Sequence, residues 1–206
     1  MNANNVCAVI LTGGRSRRMG GTNKTFKKFN NQIIFDRIFN RIQNQVSETI
    51  INSNDDKNLF VKYNVNVTPD ILEGFLGPLA GIHSSFKWYI ENKKKYDWLV
   101  SVPGDTPFIP DDLVNKFIKK TKDMDNKIVI AKSFGKIHPT VGLWHTSLYE
   151  NLEESLKRGH RKILDWANNH SVGYVDFDES KYDPFFNINY IEDIKKAEAI
   201  ENNFLK

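Results

Sequence analysis

Residues 11–24, LTGGRSRRMGGTNK, hold four of the chain's twelve glycines, three arginines and a lysine. They follow the apolar run VCAVI (6–10). A buried strand, a glycine-rich turn and then a helix is an arrangement that binds phosphate, because backbone N–H groups converge on an anion that glycines allow to approach. Arg15, Arg17, Arg18 and Lys24 add enough charge to clamp a triphosphate. Two familiar templates do not fit. The string G-x-x-x-x-G-K-[ST] is absent, and so is G-x-G-x-x-G, because the glycines come as the pairs Gly13-Gly14 and Gly20-Gly21. A glycine-rich surface turn with solvated arginines remains the plainer reading of the turn alone.

A second group of residues is VPGDTPFIP (102–110). Asp105 follows an apolar strand, and open α/β sheets bind ligands at the carboxyl ends of their strands. A carboxylate beside a triphosphate suits Mg²⁺, which takes one or two carboxylates plus phosphate oxygens. An Asp before Thr-Pro also caps turns, so both readings stand. Asp70, after Pro69, and Asn52, closing TIIN, are placed to bond a base or ribose, or simply to serve their turns.

The elements that must position these residues alternate. Apolar runs at 6–12, 48–54 and 97–105 read as buried strands, and 64–70 as a short strand stopped by Pro69. Residues 33–46 place Ile34, Phe35, Ile38, Ile42 and Val46 at helical spacing. Residues 77–92 start with Gly-Pro, which suits a first helical turn, and 109–122 run from Asp to Lys, matching the helix dipole. KIVIAKS and TVGLWHT read as strands bracketing the turn FGKIHP. Helices over 147–158, 161–169 and 189–204 and a strand over 172–177 complete the chain. The pattern predicts an α/β, doubly wound, mostly parallel sheet with helices on both faces. One domain is expected over 1–206, with a first half ending near residue 125 and a second half, 126–206, that completes the sheet and carries a second half-site.

Composition narrows the class. With 206 residues, 40% hydrophobic and 26% charged, the chain can bury a core. The net charge of +4 and a pI near 9.0 allow an anionic partner or a lysine-rich surface. A single cysteine, Cys7, rules out a disulfide framework and a multi-thiolate zinc site. MNANN lacks the basic and apolar regions of a signal peptide, and no apolar run approaches the ~20 residues of a membrane span. A cytoplasmic protein without membrane attachment is expected. KWYIENKKKYDW (87–98) interleaves lysines with aromatics, as single-strand nucleic-acid binders do, but a solvated lysine-rich helix end explains it better. No nucleic-acid partner is expected.

LTGGRSRRMGGTNK, GPLAG (77–81) and DTPFIP (105–110), with HPT (138–140) and NIN (187–189), together resemble the molybdenum cofactor guanylyltransferases of the nucleotidyltransferase superfamily, whose fold is Rossmann-like. The resemblance runs through nearly the whole chain. It implies that GTP and Mg²⁺ meet molybdenum-molybdopterin and that the pterin's phosphate attacks the α-phosphate of GTP. Pyrophosphate then leaves, and the guanine dinucleotide form of the cofactor results. It implies nucleotide contacts from Leu11, Thr12, Gly13, Gly14, Lys24, Asn52, Asp70 and Asp105. Arg18, Lys24 and Asp105 would be catalytic, with Asp105 the metal ligand. His138, Pro139, Thr140, Asn187 and Asn189 would face the acceptor. Transient contacts with proteins that deliver or receive the cofactor are also implied. The chain departs from the family at Thr12, where Ala is common, and at Gly104, where Cys is frequent. Thr12-Gly13-Gly14, in place of the Ala-Ala-Gly of CTP-using relatives, leans toward guanine. A CTP-dependent enzyme of the same superfamily, or a nucleotide- or nucleic-acid-binding protein without turnover, is the alternative.

Overall fold

The computed structural model describes residues 5–12, 24–72, 74, 77–122, 125–179 and 181–205. In chain order the elements are β1 (Val6–Leu11), β2 (Lys28–Phe29), β3 (Gln32–Ile33), α1 (Ile34–Gln43), β4 (Glu48–Asn52), β5 (Val67–Thr68), α2 (Pro78–Glu91), β6 (Trp98–Pro103), α3 (Leu113–Thr121), β7 (Ile128–Ser133), β8 (Lys136–His145), α4 (Tyr149–Lys157), α5 (Ile163–Ala167), β9 (Val172–Asp176) and α6 (Ile191–Phe204). Seven strands form one sheet in the order β5-β4-β1-β6-β8-β7-β9. All pair in parallel except β8, which is antiparallel to both β6 and β7.

Period-two alternation explains why β1 is apolar throughout. Val6, Ala8 and Ile10 pack on one face with Phe35 and Ile38 of α1 and Phe117 of α3. Cys7, Val9 and Leu11 pack on the other with Leu79, Ile82 and Phe86 of α2. Cys7 is buried, and desolvation pushes its thiol far above the usual range, so it behaves as a small core residue.

From β1 the chain winds outward through β4 to β5, then returns to place β6 on β1's other side. The carboxyl ends of β1 and β6 therefore flank a topological switch point, where such sheets bind their ligands.

Three local expectations change. The strand expected at 64–70 shrinks to Val67–Thr68, because a 3-10 helix occupies Lys57–Tyr63 and ends at Asn64 with φ of 50°. A small β2–β3 hairpin, turning at Asn30 and Asn31 with positive φ, precedes α1. The turn expected over FGKIHP is only Phe134-Gly135, and β8 already runs through His138. Pro139 lies at a bulge: Ile130 pairs with Gly142 but Ala131 with His138, so the proline lacks a ladder position to disrupt.

Candidate active site

The seam between β1 and β6 is closed by a short bond. The Gly104 amide donates to the Leu11 carbonyl at 2.8 Å, placing the Asp105 turn directly against the end of β1. The approach is tight: a Cβ on Gly104 would stand 3.0 Å from Thr12 Cγ2 and 3.3 Å from the Leu11 carbonyl oxygen, so those neighbours would have to yield by a few tenths of an ångström. The same Cβ would lie 3.5 Å from Thr25 Cγ2, so the 3-10 turn Lys24–Phe26 also abuts this point. Gly13, Gly14 and Arg18, with Arg15 and Arg17, lie outside the described residues, as does the side chain of Lys24.

Thr12 ties β1 to β4. Its amide and its hydroxyl both donate to the Asn52 carbonyl, each at 2.9 Å. The Asn52 side chain, 3% exposed, donates to the Thr68 carbonyl and to Asp70 Oδ1, each at 3.1 Å. Asp70 Oδ2 accepts from Asn54 Nδ2 at 2.9 Å, and the Asp70 amide donates back to Asn54 Oδ1 at 2.8 Å. Asn54 is thus part of the constellation, although nothing in the sequence singled it out. Its only signal is its place two residues beyond Asn52. The α2 helix closes this side: Ser84 Oγ accepts from the Ile71 amide at 3.0 Å.

The residues that the sequence offered for an acceptor lie in the C-terminal half, and Asn187 and Asn189 flank a contact to the same seam. The Ile188 amide donates to the Asp105 carbonyl at 2.9 Å. Ile188 is fully buried, while Asn187 and Asn189 on either side of it are exposed. Asp193 Oδ2 accepts from the amides of Asn189 and Tyr190, each at 3.0 Å, and so anchors this segment to the start of α6. Ser101 Oγ of β6 donates to the Thr140 carbonyl at 2.9 Å, which ties Pro139 and Thr140 to the strand leading to Asp105. His138 lies farther along β8 and packs against Phe185, with ring centroids 4.8 Å apart.

Among the described residues, no three His, Cys, Asp or Glu side chains gather into a cage that could hold a metal alone. One half-buried carboxylate, Asp105, at a strand end beside the carboxyl end of β1 is the donor set that fits Mg²⁺, whose remaining positions go to phosphate oxygens and water. Three of the histidines without assigned roles contact neighbouring side chains. His145 Nδ1 lies 2.8 Å from Ser147 Oγ, and His170 Nε2 lies 3.0 Å from Asn151 Oδ1. His83 is buried beneath Tyr149. In the stretch 87–98, Tyr89 is buried, and Lys94 and the Tyr96 hydroxyl both engage Glu48, so these groups serve the fold. Among the described residues, no helix is long and apolar enough to cross a membrane.

A carboxylate at the β1/β6 seam stands where doubly wound α/β folds bind their ligands, and this defines the class of scaffold. Comparison with known proteins sharpens this. The family described as MobA-like NTP transferase domain matches residues 8–172. A molybdenum cofactor guanylyltransferase of Nitrobacter hamburgensis is 35% identical over 193 residues, covering 93% of this chain and 92% of that protein. One from Yersinia pestis is 35% identical over 185 residues, covering 90% and 91%. The crystal structure of molybdopterin-guanine dinucleotide biosynthesis protein A from Archaeoglobus fulgidus superposes with a TM-score of 0.77 at 25% identity, covering 97% of this chain and 100% of that one. A 4-diphosphocytidyl-2C-methyl-D-erythritol synthase from Anaerococcus prevotii shares the fold, with a TM-score of 0.74 at 14% identity, covering 98% and 97%. The chain belongs to the MobA-like NTP transferase family and groups there with the molybdenum cofactor guanylyltransferases.

Proposed function

We propose that this chain transfers GMP from GTP to the terminal phosphate of molybdenum-molybdopterin. An acceptor phosphate oxygen forms the new bond to the α-phosphorus of GTP, the α–β bridging bond breaks, and pyrophosphate leaves. The observation that carries this reading is the Leu11–Gly104 bond at the β1/β6 switch point, which sets Asp105 against the end of the nucleotide strand.

The acceptor is already an anion, so no strong general base is needed. The barrier is dominated by bringing anions together, and positioning with charge neutralisation lowers it. Asp105 would hold Mg²⁺, which supplies charge neutralisation at the phosphates when bound. Arg18 and Lys24 would hold the triphosphate. Leu11, Thr12, Gly13 and Gly14 would line the path of the nucleotide, with Asn52 and Asp70 at its nucleoside end. The Asn52 and Asn54 carboxamides orient the Asp70 carboxylate, which keeps lone pairs for a donor on the nucleoside. His138, Pro139, Thr140, Asn187 and Asn189 would face the acceptor.

Incubating the chain with molybdenum-molybdopterin, Mg²⁺ and each nucleoside triphosphate in turn tests this. Pyrophosphate release and dinucleotide formation are expected with GTP. Product with CTP and none with GTP would transfer the reading to a cytidylyltransferase, whose fold is shared.

A further inference from the structure

A three-residue hydrogen-bond chain lies beside the tip of the β7–β8 hairpin. Ser133 Oγ donates to Asp183 Oδ1 at 2.7 Å, and His138 Nε2 lies 2.7 Å from the same Oγ. The Phe185 amide donates to Asp183 Oδ1 at 2.9 Å and so fixes the carboxylate within its own loop. A carboxylate only accepts, and a serine hydroxyl has one proton to give. That proton goes to Asp183, so the second bond must run from His138 Nε2–H to Ser133 Oγ. The ring therefore carries its proton on Nε2, and Nδ1 presents a lone pair.

This is not an acyl-transfer triad. There the histidine stands between serine and aspartate and takes the serine's proton. Here the serine stands in the middle, and Ser133 is 0% exposed, so it is a strut and not a nucleophile. The charged groups facing the ring are Asp183 from the loop and Lys136 from β8. Burial lowers the imidazole's pKa, Asp183 raises it and Lys136 lowers it, and the balance lies below the usual value. The same loop bonds Asp105 through Ile188 five residues beyond Asp183, so His138 and the candidate metal ligand share one support.

Resting on the acceptor reading above, we infer that Ser133 and Asp183 are positioning residues that lock His138 in its Nε2–H tautomer, so that Nδ1 accepts a hydrogen bond from an amino or ring N–H group of the pterin. A neutral imidazole acceptor reads the pterin's donor edge, while the acceptor's phosphate is left to the groups around Asp105.

The test measures KM for molybdenum-molybdopterin and, separately, GTP affinity by calorimetry in His138→Gln and Asp183→Asn. Glutamine keeps a donor near the Nε2 position for Ser133 but offers nothing at Nδ1. Both variants should raise the acceptor KM about three- to tenfold, the worth of one hydrogen bond, with GTP affinity unchanged. In Asp183→Asn the acid limb of kcat/KM for the acceptor should also move to lower pH, since the carboxylate that favours the imidazolium is gone. An unchanged acceptor KM in His138→Gln, or an equal loss of GTP affinity, overturns the inference. Absence of transfer by the unaltered chain fails the guanylyltransferase reading itself, and this inference with it.

Discussion

A methyl group added to Gly81 of α2 would overlap the carboxamide oxygen of Asn52 at the end of β4 and come within 2.7 Å of Leu11 Cδ2. Asn52 cannot swing aside, because its Nδ2 is held by the Thr68 carbonyl and by Asp70. Gly81 therefore sets how closely α2, the helix that GPLAG opens, packs on Asn52 and the end of β1.

Gly81→Ala sets two effects against each other. Alanine gains up to ~1 kcal/mol of helix propensity, whereas overpacking costs ~1–3 kcal/mol. With a rigid Asn52 the clash prevails. Thermal melting should show a net loss, and calorimetry should show weaker GTP binding. A variant that melts higher and binds GTP normally would show that Asn52 moves freely.

Asn54→Ala removes both halves of the reciprocal pair with Asp70, leaving the carboxylate to Asn52. Because Asn54 is exposed, stability should change by less than ~0.5 kcal/mol. KM for GTP should rise about three- to tenfold. Unchanged kinetics would remove Asn54 from the site.

Stability should fall as the pH drops below about 6.5, the ordinary histidine value. Burial lowers the pKa of His83 despite Glu153 Oε1 at 3.5 Å, and burial also lowers His138, His145 and His170. In this window the unfolded chain binds protons that the folded chain does not, so stability is full above 6.5 and is lost as the pH falls. His83 is the most buried of the four, and its ring nitrogens make no hydrogen bond among the described residues. His83→Leu should flatten the dependence. Denaturant titrations at pH 7.5 and 5.5 measure it, and an equally steep dependence in the variant would place the effect elsewhere.

Phe134 holds φ at 49° at the hairpin tip, beside Gly135 at 74°, and is half exposed. A bulky residue is strained in this region, where asparagine is favoured. Phe134→Asn should raise stability by ~1 kcal/mol, read as a higher melting temperature. A lower melting temperature would mean that the phenyl ring contributes packing that outweighs the strain.

Local pattern made β1, β4, β6 and the helices between them legible, since fully apolar runs and period-3.6 stripes need no distant information. The adjacency of β1 and β6, the strands that lead to residues 11–24 and to Asp105, followed from strand alternation and the switch-point rule. What escaped was non-local. Ser133 and Asp183 are fifty residues apart and neither belongs to a motif, so only the fold joins them. Pro139 read as the end of a turn because prolines break ladders, and the bulge that accommodates it depends on β7. The 3-10 helix over Lys57–Tyr63 carries only Phe60 as a buried residue, too little for a periodic signal. Guanine preference was legible only through the resemblance, because no base contact can be read from Thr12-Gly13-Gly14 itself.

Asp105→Asn tests the central claim most directly, because it keeps the side chain's size and removes its charge. Pyrophosphate release from GTP with molybdenum-molybdopterin and Mg²⁺ should fall about 10²- to 10³-fold, the cost of losing one preorganised charge contact in the transition state, while the melting temperature stays close to that of the unaltered chain. Turnover at the normal rate in this variant would contradict the assignment of the β1/β6 seam as the catalytic centre.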